Sequence, residues 1–175
     1  MRIASIIESI VDGPGYRLSV FFSGCKLHCP QCHNKHLWDP ASGTEMTVDE
    51  VINEVKKHRQ ISGVSVLGGE PLNQSYEVAK LCKAIKKILG HHIILYSGYK
   101  YEEILAGAEP YGMEVLPYVD ILIDGRYDHS KRDISENNIF RGSTNQRIID
   151  VQRSLNENRI CVCSYDVYGN LKQVV

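Results

Sequence analysis

The chain has 175 residues, 20 Lys and Arg against 21 Asp and Glu, a net charge of -1 and 43% hydrophobic residues. That length suits one domain with a core of its own and is too short for a complete eightfold α/β barrel, which takes about 250 residues. The even charge balance argues against a dedicated nucleic-acid binder, whose basic footprint dominates its composition.

The opening residues, MRIASIIE, place Glu8 inside a short apolar stretch with no small-residue cleavage pattern after it. Neither a secretory leader nor a membrane anchor is expected, and the chain reads as cytoplasmic. In that reducing compartment, closely spaced cysteines are better explained by metal or redox chemistry than by disulfides. Residues 17–23 (RLSVFFS) form a β-rich run that passes through Gly24 into a group of three cysteines, Cys25, Cys29 and Cys32, so the group sits on a loop after a strand. Thr47 and Glu50 have the spacing of a capping box and predict a helix to about residue 59, with Val48, Val51, Ile52 and Val55 on one face.

Residues 63–67 (GVSVL) are a short apolar run between glycines, the signature of a strand buried on both faces of a parallel sheet. The run ends in Gly68-Gly69-Glu70-Pro71. Over 75–89, Val78, Leu81, Cys82, Ile85, Ile88 and Leu89 recur at steps of three and four among lysines, and Gly90 is placed to stop this amphipathic helix. A second buried strand at 92–96 (HIILY) leads to Ser97 and Gly98, followed by a short helix at 101–106 and a strand at 119–123 that ends at Asp124-Gly125. From 159 onward, apolar residues flank a Tyr168-Gly169-Asn170 turn signal, which reads as a terminal hairpin. No repeat or linker divides the chain, so 1–175 is taken as one domain with 151–175 as a C-terminal extension. The fold class expected is α/β: a partial, open (β/α) barrel with a mostly parallel sheet and a short C-terminal hairpin. In such sheets the loops after each strand gather at the carboxyl edge, where ligands bind. Residues 24–36, 68–71, 97–99 and 124–126 share that edge.

On spacing alone the C-x3-C-x2-C group stays open to three readings. It could be a zinc site completed by His33 or His36. It could be a C-x-x-C redox pair, which leaves Cys25 unexplained. It could also be an iron-sulfur cluster held by three cysteines, with one iron left free for a ligand. The Gly68–Pro71 turn lets a ligand approach the backbone and offers the Glu70 carboxylate to an ammonium group; a plain tight turn with a solvated Glu70 is the competing reading. Cys82 reads as a core residue on its helix stripe, and Cys161 and Cys163 as two packed thiols rather than a metal or exchange pair.

Taken together, the cysteine group and the GGE turn resemble the radical S-adenosylmethionine enzymes. Asp12-Gly13-Pro14-Gly15-Tyr16-Arg17 ahead of Val20-Phe21-Phe22-Ser23-Gly24-Cys25, and Cys32-His33-Asn34 followed by Trp38-Asp39, are similar to the glycyl-radical activating enzymes within that superfamily. The likeness extends to 95–99, 120–125 and 141–147 and covers about 12–149. It implies a [4Fe-4S] cluster on Cys25, Cys29 and Cys32, with S-adenosylmethionine contacted by Gln31, Cys32, His33, Gly69 and Glu70, and more weakly by Ser97 and Gly98. The resemblance also implies one-electron cleavage of the sulfonium by a cluster working toward the low end of the roughly -700 to +450 mV range. The resulting 5'-deoxyadenosyl radical would take a hydrogen from a glycine of a protein substrate. Through the likeness at 95–99, 120–125 and 141–147, the resemblance implies the anaerobic ribonucleoside-triphosphate reductase as that partner, with a low-potential donor such as flavodoxin to supply the electron. No side chain is assigned as general acid or base, and no nucleic acid or membrane partner is expected. Activation of formate-lyase or another glycyl-radical enzyme, a small-molecule radical enzyme such as a deazaguanine-forming synthase, and a non-catalytic zinc-binding interaction module are the alternatives.

Overall fold

The computed structural model describes residues 1–135 and 139–173. Nine strands among them form one sheet: β1 (Arg2–Ser9), β2 (Arg17–Phe22), β3 (Thr44–Glu45), β4 (Gly63–Gly68), β5 (His92–Ser97), β6 (Ile121–Asp124), β7 (Arg147–Asp150), β8 (Val162–Tyr165) and β9 (Leu171–Gln173). Their order across the sheet is β3-β1-β2-β4-β5-β6-β7-β8-β9. The helices are α1 (Val48–Lys57), α2 (Ser75–Ala84), α3 (Tyr101–Leu105), α4 (Gly112–Val115) and α5 (Val151–Glu157).

The central strands β2, β4, β5 and β6 run parallel, whereas β1 with β2 and β3, and β6 through β9 in succession, pair antiparallel. The expectation of a mostly parallel sheet is therefore corrected: this is a mixed α/β fold whose large, unclosed sheet is mostly antiparallel. The reason lies in the connections. A parallel neighbour needs a crossover of a dozen or more residues, which α1 and α2 supply, but the joins between β1 and β2 and between β8 and β9 are short and reverse the chain directly. The C-terminal hairpin is present as β8 and β9; the last two residues expected in it, Val174 and Val175, lie outside the described residues.

Alternation along the strands sorts the sheet into two faces. Leu18, Val20, Phe22, Val64, Val66, Ile93, Leu95, Leu122 and Ile149 join Val51, Ile52 and Val55 of α1 and Val78, Leu81 and Cys82 of α2 in the larger core. Ile94, Ile121, Ile123, Ile148, Cys163 and Tyr165 form a second cluster. In β2 and β4 the first residues of the opposite face, Arg17, Ser19 and Ser65, are polar and buried. Arg17 is buried there on neutral acceptors, donating from Nε to Ser65 Oγ at 2.7 Å and from Nη2 to the carbonyls of Val64 at 2.8 Å and His92 at 3.2 Å. The neighbouring Ser19 hydroxyl donates to Asp12 at 2.8 Å, and Ser65 to the Asp12 carbonyl at 2.6 Å. These bonds draw the loop between β1 and β2 under the sheet.

The capping box forms as read: Glu50 N donates to Thr47 Oγ1 at 3.2 Å and Thr47 N to Glu50 Oε2 at 2.7 Å. The amphipathic helix at 75–89 is changed by one feature. Beyond α2 the chain passes into a π-helical turn, Ile85–Leu89, before Gly90 ends it in a left-handed cap at φ 68°. The wider turn shifts the phase of the stripe, so that Ile85 is fully buried while Ile88, expected on the same face, is 61% exposed. We expect Ile85→Ala to cost about 2–5 kcal/mol in urea unfolding and Ile88→Ala to stay within about 0.5 kcal/mol; equal losses would contradict the rephased turn.

Candidate functional site

Three of the parallel strand ends carry the site. After β2, the backbone of Gly24 donates to the Leu37 carbonyl at 2.7 Å and that of Cys25 to the Trp38 carbonyl at 3.0 Å, which closes the base of the cysteine loop. Within the loop, Cys32 N donates to the Cys29 carbonyl at 3.1 Å, and Asn34 N points at Cys32 Sγ from 3.4 Å. Cys25, Cys29 and Cys32 all line one cavity of about 390 Å³, a volume within the range of small-molecule sites. All three are free thiols of intermediate exposure. Burial pushes the Cys25 and Cys29 thiols up from their ordinary value, so a metal that binds them has to displace protons.

After β4, Gly69 meets the cysteine loop backbone to backbone: Glu70 N donates to the Gly24 carbonyl at 2.8 Å. A β-carbon on Gly69 would lie 2.4 Å from the Gly24 oxygen and 3.0 Å from that of Leu37, so only glycine fits. The Glu70 carboxylate is 1% exposed. Its Oε1 accepts from Leu72 N at 3.0 Å and Ser97 Oγ at 2.9 Å, and its Oε2 from Gly98 N at 2.7 Å. Burial dominates its titration and pushes it up to about 7, opposed by the donors on Gly98, Leu72 and Ser97. Glu70 is thus neither solvated nor free to swing; it ties the end of β4 to the end of β5 and keeps acceptor capacity on Oε2.

Of the residues singled out by sequence, Cys25, Cys29, Cys32, His33, Gly69, Glu70, Ser97 and Gly98 line this cavity together. Gln31 does not: it is exposed, at a left-handed φ of 57°, and serves the turn between two cysteines. His36 lies with Ala4, Phe21 and Ser42 in a different depression. Among the described residues no three His, Cys, Asp or Glu side chains gather closely enough to hold a single metal ion. A three-thiol set spread around one cavity suits a cluster, whose irons are separate, better than a closed tetrahedral zinc site. Asp124, placed by sequence at the ligand edge, is buried and accepts from Tyr101 N at 2.7 Å and from Arg147 Nε at 2.9 Å, which fastens α3 and β7 to β6.

The sequence reading gave Leu27, Tyr127 and Phe140 no role and used Trp38 and Leu67 only as parts of a motif and a strand; all five supply the apolar and aromatic walls of the cavity. The Trp38 ring lies 4.6 Å from that of His28, and the Tyr127 ring 5.2 Å from that of His33. Arg141, Gly142 and Gln146 also line it; the 141–147 segment was legible as a motif but not as a wall. Cys82, Cys161 and Cys163 are buried elsewhere as packed thiols, and burial pushes Cys82 up to about 12 and Cys163 up to about 11.

Residues 11–149 match the family described as a 4Fe-4S single cluster domain. Over 145 residues the chain is 36% identical to the anaerobic ribonucleoside-triphosphate reductase-activating protein of Escherichia coli (strain K12), covering 78% of this chain and 90% of the relative. The chain belongs to that family of activating proteins. The member from Enterobacteria phage T4 is 34% identical over 144 residues, 79% of this chain and 86% of its own length. A pyruvate formate-lyase-activating enzyme from Clostridium pasteurianum is 40% identical over 113 residues, but these are 59% of this chain and 48% of the enzyme. The family match spans the cysteine loop, the Glu70 turn and the aromatic wall at Tyr127 and Phe140, and it stops before α5 and the C-terminal hairpin.

The folded chain holds the Glu70 proton more tightly than the unfolded chain. The resulting stability is complete below about pH 4.5 and is lost as the pH rises through about 7. Urea unfolding of the cofactor-free chain across this interval should show that decline, and Glu70→Gln should flatten it; an unchanged slope in the variant would place the titration elsewhere.

Proposed function

We propose that this chain holds a [4Fe-4S] cluster on Cys25, Cys29 and Cys32, cleaves S-adenosylmethionine reductively beside it, and generates a glycyl radical on an anaerobic ribonucleoside-triphosphate reductase. The observation that carries the reading is the convergence of three thiols from one loop and the Glu70 turn on a single cavity, in a chain of this family. When bound, the cluster and S-adenosylmethionine supply the one-electron cleavage and the hydrogen abstraction; the organic chemistry is theirs. The protein's part is to ligate, orient and exclude water.

Cys25, Cys29 and Cys32 would hold the cluster and leave one of its irons without a protein ligand, where S-adenosylmethionine would bind. Cys32, His33, Gly69, Glu70, Ser97 and Gly98 are the contacts we assign to that molecule. The spare acceptor site on Glu70 Oε2 suits its ammonium group, a charge-assisted bond of about 1.5–3 kcal/mol. Leu27, Trp38, Leu67 and Phe140 keep solvent from the reacting centre. No side chain is required as an acid or base.

We read the unclosed sheet as a partial barrel and the chain as one domain, with 151–175 extending the sheet through β8 and β9. A cytoplasmic place of action belongs to the same reading; among the described residues no helix is long and apolar enough to cross a membrane. A low-potential donor of the flavodoxin type would supply the electron. Activation of a formate-lyase is the second reading, favoured by the 40% identity to such an activator and weakened by the 48% of it that the match covers.

Anaerobic purification should give about four irons and four acid-labile sulfides per chain, and one zinc without sulfide would overturn the proposal. With a reductant, the protein should convert S-adenosylmethionine to 5'-deoxyadenosine and methionine. Cys29→Ala should fall to the level of cluster-free protein, and cleavage that persists in it would refute the ligand set. Electron paramagnetic resonance of mixtures with the two candidate partners should show a glycyl signal with the anaerobic reductase and not with the formate-lyase.

A further inference from the structure

Behind the cavity a second polar network joins the strand ends, and neither the family match nor the cofactor contacts account for it. Its centre is Asn73, in the short helical turn (Pro71–Gln74) that follows Glu70. Asn73 Oδ1 accepts from the backbone N-H of Lys26, the residue after the first cysteine, at 2.8 Å. Asn73 Nδ2 donates to Glu109 Oε1 at 2.8 Å and approaches the Tyr99 hydroxyl at 3.3 Å. Tyr99 in turn donates to Glu109 Oε1 at 2.8 Å, while its backbone N-H donates to Ser97 Oγ at 3.1 Å. Ser97 Oγ donates to Glu70 Oε1 at 2.9 Å, and Asn73 N to the Glu70 carbonyl at 3.1 Å, which closes a ring.

Chemistry fixes the polarity of this ring. The Lys26 N-H can only donate and the Glu109 carboxylate can only accept, so one amide orientation of Asn73 satisfies both. Glu109 is 8% exposed, and the Lys26 ammonium stands 3.9 Å away with its own side chain 73% exposed, a weak partner for a buried carboxylate. Hydrogen bonds from Asn73 and Tyr99 therefore hold Glu109, and Glu109 holds them.

We infer that Asn73 and Glu109 are positioning residues: together they fix the backbone beside Cys25 at a set distance from the Glu70 turn, and so align the cluster with the S-adenosylmethionine contacts. This rests on the reading proposed above. The base of the cysteine loop is held by backbone bonds at Gly24 and Cys25; on its Lys26 side the anchor is the Asn73 side chain. Releasing it lets Cys25 shift relative to Glu70 while all three thiols remain. The cluster then assembles, but its open iron and the Glu70 turn no longer meet the same molecule in register.

Asn73→Asp is the informative change. It keeps an acceptor for Lys26, loses the donor to Glu109 and sets two carboxylates face to face. Adding Glu109→Gln restores one donor and one acceptor across the pair at the original net charge. The readout is the titration of the reduced cluster with S-adenosylmethionine, followed by the change in its electron paramagnetic resonance spectrum, together with iron and sulfide content. We expect Asn73→Asp to retain iron and sulfide and to raise the titration midpoint about tenfold, and the double variant to return within about threefold of the unsubstituted protein. A midpoint within twofold in the single variant, or a double variant no better than the single, would overturn the inference. Should Asn73→Asp fail to fold, Tyr99→Phe removes one donor to Glu109 without adding charge and should raise the midpoint about threefold; no rise overturns the inference equally. An unsubstituted protein without sulfide, or with a spectrum indifferent to S-adenosylmethionine, would instead sink the proposed function.

Discussion

The site is organised around an approach of two backbones that leaves no room for a side chain. The end of β2 and the end of β4 come together at Gly24 and Gly69, where the Glu70 N-H reaches the Gly24 carbonyl and a methyl group on Gly69 would stand 2.4 Å from that oxygen. Two loops with unrelated tasks, one bearing thiols and one bearing a buried carboxylate, are thereby joined at their roots. Parallel pairing brings both ends to the same edge, since Phe22 lies in register with Gly68. The glycine then removes the remaining spacing. Everything distal to that contact, including the cavity between the loops, inherits its geometry from it.

The six cysteines divide by environment rather than by spacing alone. Cys82 sits in the core on the inner face of α2, and Cys163 sits in the smaller cluster, where desolvation keeps their thiols protonated. The loop cysteines are only partly buried and line one cavity together, and Asn34 N-H aims at the Cys32 sulfur. A metal entering that cavity meets the loop thiols and not the packed ones.

Much of this was legible in the chain because the central strands are covered on both faces. GVSVL and HIILY appear as uninterrupted apolar runs for that reason, and the Thr47 box and Gly90 mark helix ends by chemistry that acts within a few residues. Legibility failed where the determining contact is distant. Nothing local tells that RIASIIES pairs antiparallel with β2, since its alternation is broken by the shift in register between Ile3 and Ser5. The outward turn of Ile88 comes from a change of helical pitch that apolar periodicity cannot register. Gln31 lies between two of the loop cysteines in sequence yet faces solvent, because the loop needs a left-handed residue there. Asp124 stands at a strand end like a ligand residue, but its partner Arg147 arrives from across a long connection.

That connection has a consequence of its own. Because β7 returns antiparallel beside β6, no further parallel strand end among the described residues adds a loop on that side of the cavity, and the wall there is lined by Gly125, Tyr127, Phe140, Arg141, Gly142 and Gln146, which flank β6 and β7. The thiol loop and the Glu70 turn are locked to each other at Gly24 and Gly69, whereas these wall residues take no part in that contact. The far side of the cavity can therefore be reshaped by substitution at Tyr127, Phe140 or Gln146 with the joined roots of the two loops left untouched.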